Sequence, residues 1–290
     1  MNNKLILGTV QMGLDYGINN SSGKVSKNQS IEILEYAFDN GIRILDTAEV
    51  YGNAHEIIGV YHKLNPSKKF NIITKLPKTD KINIENKLNK YLEVLNVDSI
   101  QTLMFHNYGS YKKNLDLFEN LKEIKLSKKI KNIGVSIYTN NNILKVIKNK
   151  DIDLIQIPYN LFDNNYQRAD VLKKAKKYKK IIHSRSPFLQ GLFFKSKNND
   201  SEIVKKLKNE FIILEKIVKN CKTSISNIAI NYCLSNELID NVIVGVDSLN
   251  QLKQNLNTGN IKMNKKIIDL VNSIKINDVN LINPFLWPLK

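Results

Sequence analysis

Arginine is nearly missing from this chain. Only Arg43, Arg168 and Arg185 carry a guanidinium, leaving 41 lysines against 27 acidic residues and a formal net charge of +17. Proteins that read bases and phosphates lean on arginine's planar, bidentate fork, so this scattered lysine surplus argues against nucleic-acid binding. The runs Lys173-Lys174-Lys176-Lys177-Lys179-Lys180 and Lys205-Lys206-Lys208 fall on helical patterns and read as solvated outer faces. Attraction of small anionic substrates is the milder consequence of the charge. Cysteine is equally scarce. Cys221 and Cys233 cannot build a disulfide scaffold, no Cys/His metal pattern exists, and both thiols read as inert helix residues in a reducing compartment. No run approaches the roughly 18–20 apolar residues that cross a bilayer. The apolar stretch in MNNKLILGTVQMG is also too short for a signal core. The sequence therefore predicts a soluble, cytoplasmic protein without a membrane partner.

What is present is apolar material in a regular arrangement. Hydrophobic residues make up 42% of 290 and charged residues 24%, enough for the core of one large domain. Short apolar runs read as strands at Leu5–Val10, Ile42–Asp46, Asn71–Lys75, Ile100–His106, Ile133–Ser136, Leu154–Pro158, Ile181–Ser184 and Asn241–Gly245. Continuous apolarity is expected of strands buried on both faces of a parallel sheet. Helical patterns lie between them: Lys27–Asn40 after the cap Ser26, then Asn86–Leu95, Leu115–Ser127, Asn142–Lys148, Ala169–Tyr178, Glu202–Lys219, Ser226–Leu234 and Leu249–Asn255. Eight such alternations favour an α/β fold, a (β/α)8 TIM barrel, over an open sheet. No linker divides the chain, so residues 1–290 read as a single domain. The helical stretch Lys265–Ile274 and the tail Asn283–Lys290, with Phe285 and Trp287, would pack over the barrel after its eighth unit.

In such barrels the C-terminal strand ends line the active-site mouth. Asp46, Lys75 and His106 end strands 2, 3 and 4, and Tyr51 follows Asp46 in ILDTAEVYGN. Three ionisable groups ending three successive apolar strands suggest a proton donor. Tyrosine, with an ordinary pKa of about 10, donates poorly at neutral pH. An ammonium at Lys75 is expected to lower that pKa, Asp46 to neutralise and position Lys75, and His106 to orient a substrate oxygen.

These motifs resemble the aldo-keto reductases. The resemblance runs through LGTVQMG (7–13), DTAEVYG (46–52), ITK (73–75), LMFH (103–106), GVS (134–136), RSPFLQG (185–191) and VGVDSLNQLKQN (244–255). It implies a barrel enzyme that interconverts carbonyls and alcohols with a nicotinamide cofactor. Tyr51, Lys75, Asp46 and His106 match the family's catalytic tetrad. The first strand starts so early that the family's N-terminal hairpin is expected to be short or absent. Further implications concern the cofactor: Gly8 and Thr9 beside the nicotinamide, Ser136 and Gln156 on its carboxamide, and Arg185 where many members stack a Tyr or Phe. Ser186, Leu189 and Gly191 match the pyrophosphate loop. Gly245 begins a turn into a phosphate-receiving helix, and Gln251 and Asn255 match the adenosine side. Ile137 departs from the common Asn. Val246-Asp247-Ser248 and Gln251 depart from the cationic residues that often meet a 2′-phosphate, although family habit still favours NADP(H) over NAD(H).

Blander readings stand beside these. His55 and His62 are expected at the surface, His183 to be structural within strand 7, and Phe285 and Trp287 to seal an apolar edge or the pocket. Other functions are a nucleotide-binding regulatory or scaffold barrel with little activity, or a Schiff base on Lys75, which Asp46 opposes by keeping it charged. The polar loops 11–25, 107–114 and 192–201 favour a small carbonyl substrate that is hydroxylated or anionic, such as a sugar. Oligomeric state is not encoded in any motif.

Overall fold

The computed structural model describes residues 4–77, 83–196, 198–258 and 263–287. Eight parallel strands, β1 (Leu5–Gly8), β2 (Ile44–Asp46), β3 (Asn71–Leu76), β4 (Ile100–Phe105), β5 (Ile130–Ser136), β6 (Leu154–Pro158), β7 (Ile181–Arg185) and β8 (Asn241–Gly245), close into a barrel in sequence order. Closure comes where β1 pairs with β8, from Leu5 opposite Val242 to Gly8 opposite Gly245. Side chains alternate across each strand. Ile6, Ile73, Met104, Leu154 and Ile243 therefore fill the barrel with Ile44 and Ile181, while Leu7, Leu45, Ile72, Leu103, Val135, Ile155, Ile182 and Val244 face the helices. The alternation also decides which residues crown the interior: Asp46, Lys75, Ser136, Gln156 and Arg185 continue the inward rows.

The helical layer comprises α1 (Val10–Gly13), α2 (Lys27–Asp39), α3 (Ala54–Leu64), α4 (Ile84–Leu95), α5 (Tyr108–Lys113), α6 (Phe118–Leu126), α7 (Asn140–Val146) and α8 (Asn165–Lys177). After β7 come α9 (Glu202–Lys206), α10 (Lys208–Cys221) and α11 (Ile225–Leu234), and after β8 come α12 (Leu249–Leu256) and α13 (Lys265–Asn272). Ser26 starts α2 by accepting the Gln29 N–H, and Ser248 starts α12 by accepting that of Gln251. Two expected helices are each broken. Leu115–Leu117 forms a 3-10 turn before α6, and Leu207, at φ −104° and ψ 20°, separates α9 from α10. Val204, Leu207, Phe211, Leu214 and Ile217 stay buried across that bend, so apolar spacing does not register it.

Several surface expectations are overturned. His55 and His62 are buried, because both share with Ile58 the face of α3 that packs on the sheet. His55 bonds the Thr74 hydroxyl at 2.9 Å, and burial pushes its pKa down to about 4. His62 Nδ1 meets Leu95 O at 2.7 Å and its Nε2 accepts the Phe70 N–H at 3.1 Å. Lys180 is buried too, donating to the carbonyls of Asn149 and Ile152. Cys233 is fully buried, and desolvation raises its thiol pKa. In the tail, Trp287 donates to Leu281 O while Phe285 is exposed; Pro288–Lys290 lie outside the described residues. Among the described residues no helix is long and apolar enough to cross a membrane.

Candidate active site

The strand ends converge on one buried ion pair. Lys75 Nζ donates to Asp46 Oδ2 at 2.7 Å and to Thr47 O at 3.2 Å, with the two side chains 2% and 6% exposed. The other carboxylate oxygen, Oδ1, accepts from Gln156 Nε2 at 2.7 Å. Both oxygens of Asp46 are therefore engaged, as a buried charge requires. Burial lowers the Lys75 pKa, and the Asp46 carboxylate opposes that fall. The end of β1 is tied to the same point: the Thr9 N–H and hydroxyl both donate to Asp46 O, at 3.0 and 3.1 Å.

Tyr51 approaches from the β2 loop. Its ring centroid lies 5.3 Å from Lys75 Nζ and 6.2 Å from the His106 ring, which it meets edge-on at 85°. The loop is pinned by two glycines. A methyl group on Gly13 would sit 1.7 Å from Tyr51 O, and one on Gly52, whose φ is +53°, would sit 2.2 Å from Gly13 O. Gly13→Ala is accordingly expected to destabilise the fold by about 1–3 kcal/mol through overpacking and to displace Tyr51. Urea unfolding and turnover of the variant check this, and an unchanged midpoint with unchanged turnover would refute it.

The phenol departs from expectation. Its pKa is raised, chiefly by burial and then by the Asp46 charge. Lys75 donates to Asp46 and Thr47, and burial with the Asp46 charge sets the direction for the resting phenol. Tyr51 is thus built as a retained acid in the resting state.

The other candidate residues lie elsewhere on the strand ends and the segments that follow them. Ser136 is the register partner of Gln156, so both belong to one inward layer. Gln156 binds Asp46 here, and Ile137 is buried in the outer core. Gly8 and Gly245 are register partners, and the Gln11 side chain lies against Gly245, within 2.6 Å of a built Cβ. After β7 the chain turns through left-handed Ser186 (φ 59°), Leu189 (φ 47°), Gln190 (φ 54°) and Gly191 (φ 91°), with Leu189 buried. Asn255 is buried on α12. Gln251 folds back on its own loop, accepting the Asp247 N–H at 2.8 Å.

The fold agrees with comparison to known proteins. The sequence model of the Aldo/keto reductase family matches residues 4–276. The chain belongs to the aldo/keto reductase family. It is 25% identical to the uncharacterized oxidoreductase YqkF of Bacillus subtilis (strain 168), covering 88% of this chain and 90% of YqkF. It is 23% identical to a D-threo-aldose 1-dehydrogenase of a Pseudomonas species, covering 83% and 87% respectively. Among solved structures, aldo-keto reductase AKR11C1 from Bacillus halodurans (holo form) matches with a TM-score of 0.75 over 93% of this chain and 91% of that one. Their 18% identity makes that a likeness of fold.

In this aldo/keto reductase, sequence reasoning missed the frame around Arg185. The guanidinium lies 4.1 Å over the Tyr138 ring. The Tyr138 carbonyl is held by Arg168, which donates to it at 2.7 Å, to Asn140 Oδ1 at 2.6 Å and to both oxygens of Asp163 at 2.6 Å. Tyr16, from the β1 loop, accepts Gln190 Nε2 at 2.6 Å. His183, one inward position below Arg185 on β7, is buried and held at a pKa of about 4 by desolvation. Tyr16 belongs to the polar loop 11–25, while Tyr138 follows β5 outside any loop singled out in the sequence.

Proposed function

We propose that the protein reduces an aldehyde or ketone to an alcohol with a nicotinamide dinucleotide, Tyr51 giving the proton. The observation that carries this reading is the buried Lys75–Asp46 pair set under the Tyr51 ring, with His106 opposite, at the mouth of a closed barrel. Tyr51 O–H protonates the carbonyl oxygen as negative charge builds there. The Lys75 cation offsets the phenolate left behind, Asp46 keeps that lysine charged, and His106 orients the carbonyl. The same ion pair denies Lys75 the free amine that Schiff-base chemistry needs.

When bound, the dinucleotide supplies the hydride. The residues present fit it. Among the described residues, the buried polar atoms without a partner include Gln11 Oε1, which lies against Gly245. Gly8, Thr9, Ser136, Gln156 and Arg185 would hold the nicotinamide end. Ser186, Leu189, Gly191 and Gly245 would hold the pyrophosphate, and Gln251 and Asn255 the adenosine. On the habit of the family the dinucleotide is NADP(H). NAD(H) is the second reading, favoured by Asp247 and Gln251 hydrogen-bonded to each other where a cation often sits, since a carboxylate repels a 2′-phosphate and accepts a ribose hydroxyl. The polar loops favour a hydroxylated or anionic carbonyl, in keeping with a relative named for an aldose. The working compartment is a reducing cytoplasm.

Titration with NADPH and separately NADH, followed by nicotinamide fluorescence, tests the reading. Tighter binding of NADPH is expected. Tighter binding of NADH would give Asp247 the ribose hydroxyl, and binding of neither would overturn the reductase.

A further inference from the structure

Arg185 and Arg168 stand in opposite circumstances. Arg168 is buried and fully paired, bidentate on Asp163, with its remaining donors on Asn140 and the Tyr138 carbonyl. Arg185 has no carboxylate partner among the described residues. Among the described residues its side chain's hydrogen bond is a long contact of 3.5 Å from Nη1 to the Ser186 hydroxyl, and Nη2 is buried without a partner there. A guanidinium cannot shed its charge at any pH a protein survives. An uncompensated cation beside a catalytic tyrosine is therefore a standing cost unless something arrives to meet it.

The surroundings are built rather than incidental. Tyr138 covers one face of the guanidinium, and the paired Arg168 fixes the backbone that carries Tyr138. Tyr159 N–H donates to Arg185 O, and Asn160 holds the next carbonyl, that of Ser186. From the β1 loop comes Tyr16, its hydroxyl accepting from Gln190 Nε2 and its loop tied down by the Ile18 N–H on Gln190 O. Four segments thus converge on one cation. Tyr16, Tyr51 and Tyr138 lie close enough that ionising Tyr16 is opposed by the other two, while Arg185 acts on Tyr16, Tyr51 and Lys75. Neutral phenols and one permanent cation make the wall a donor surface. The nearby acceptor of full charge, Asp46, is consumed by Lys75 and Gln156.

We propose that Arg185, with Tyr16 beside it, receives an acidic group on the carbonyl substrate, so that this reductase prefers carboxylate- or phosphate-bearing aldehydes and ketones to neutral ones. The inference rests on the carbonyl-reductase reading and narrows its substrate. It is compatible with Arg185 lying beside the nicotinamide: one face is on Tyr138, and the Nη2 edge, without a partner among the described residues, is what the acid takes. A bidentate or charge-assisted contact of this kind separates matched substrates by about tenfold or more.

The test is kcat/KM for matched pairs, 4-oxobutanoate against its methyl ester and D-glyceraldehyde 3-phosphate against D-glyceraldehyde, in native protein, Arg185→Lys and Arg185→Met. The native protein is expected to favour the acid in at least one pair by about tenfold, mainly through KM. The better pair identifies carboxylate or phosphate as the group recognised. That ratio should shrink in Arg185→Lys, a point charge without the fork, and approach one in Arg185→Met. A merely structural arginine would lower both members of a pair alike. Should Arg185→Met fail to fold, inhibition of native turnover on a neutral aldehyde by succinate and by succinamide decides the matter; succinate is expected to bind about tenfold tighter, and equal inhibition overturns the proposal. Brisk native turnover with ratios near one in both pairs overturns it while leaving the reductase intact. Absence of both turnover and dinucleotide binding overturns the two together.

Discussion

Tyr51→Phe is expected to cut carbonyl reduction by about 10²–10⁴-fold while leaving dinucleotide affinity within a few-fold of native. The substitution removes one oxygen. The ring, its edge-on contact with His106 and its position over Lys75 survive, so the loss reports the proton and not the scaffold. Single-turnover kinetics with NADPH, beside a fluorescence titration, separate the two effects. Substantial residual reduction would remove Tyr51 from the role of donor. The pH profile carries a signed expectation as well. Reduction consumes the protonated phenol, and burial holds that phenol above its ordinary pKa of about 10. In native protein kcat/KM for reduction should therefore stay level, as far as Tyr51 decides it, through the neutral range and fall only in alkali. The reverse oxidation needs the phenolate and should rise with pH over the same range. In the Phe variant both slopes should vanish from whatever activity remains.

The barrel was legible because its signal is redundant. Each strand is a short apolar run, and eight of them recur between amphipathic helices, so an error of two residues at Val10 or Ile42 changes no topology. Asp46 and Lys75 were readable as strand ends and Gln156 only through the family resemblance, and period-two alternation in the closed barrel sets all three on the inward rows. Legibility ended where a residue's setting depends on elements distant in the chain. His55 and His62 look like ordinary polar residues on a helix, yet Thr74 in β3 and the Leu95 carbonyl at the end of α4 receive them. Composition made lysine read as solvent-facing, and Lys180 is the exception because two carbonyls of the β6 approach reach its ammonium.

The electrostatics of the site were harder still. Sequence places Lys75 near Tyr51 and predicts an acidified phenol; burial and the Asp46 charge set the opposite direction in the resting site. Gln156 likewise spends its amide on Asp46. The environment of Arg185 is assembled from β1, β5, β7 and α8 segments. No spacing rule connects Tyr16, Tyr138 and Arg168 to it. Only the closed barrel does.

Breaking the Lys75–Asp46 pair should cost both activity and stability. Lys75→Met removes the cation and strands a buried carboxylate on a single amide donor from Gln156; Asp46→Asn leaves the ammonium with neutral oxygens only, the new amide and the Thr47 carbonyl. Either change is expected to destabilise the fold by about 3–5 kcal/mol, the usual consequence of leaving one buried charge without its partner. The double variant removes both charges and keeps most of the volume, so its loss should be well below the sum of the single losses, a coupling of about 1–3 kcal/mol. Urea unfolding of native protein, both single variants and the double variant closes the cycle. Turnover should not follow stability. Both variants without Lys75 lack the charge that offsets the Tyr51 phenolate, so reduction should stay depressed by about 10²-fold or more even where the double variant regains its fold. Recovery of activity together with stability would show that the pair serves only to hold β2 against β3. Additive single losses would show that the two charges, 2.7 Å apart, are not coupled.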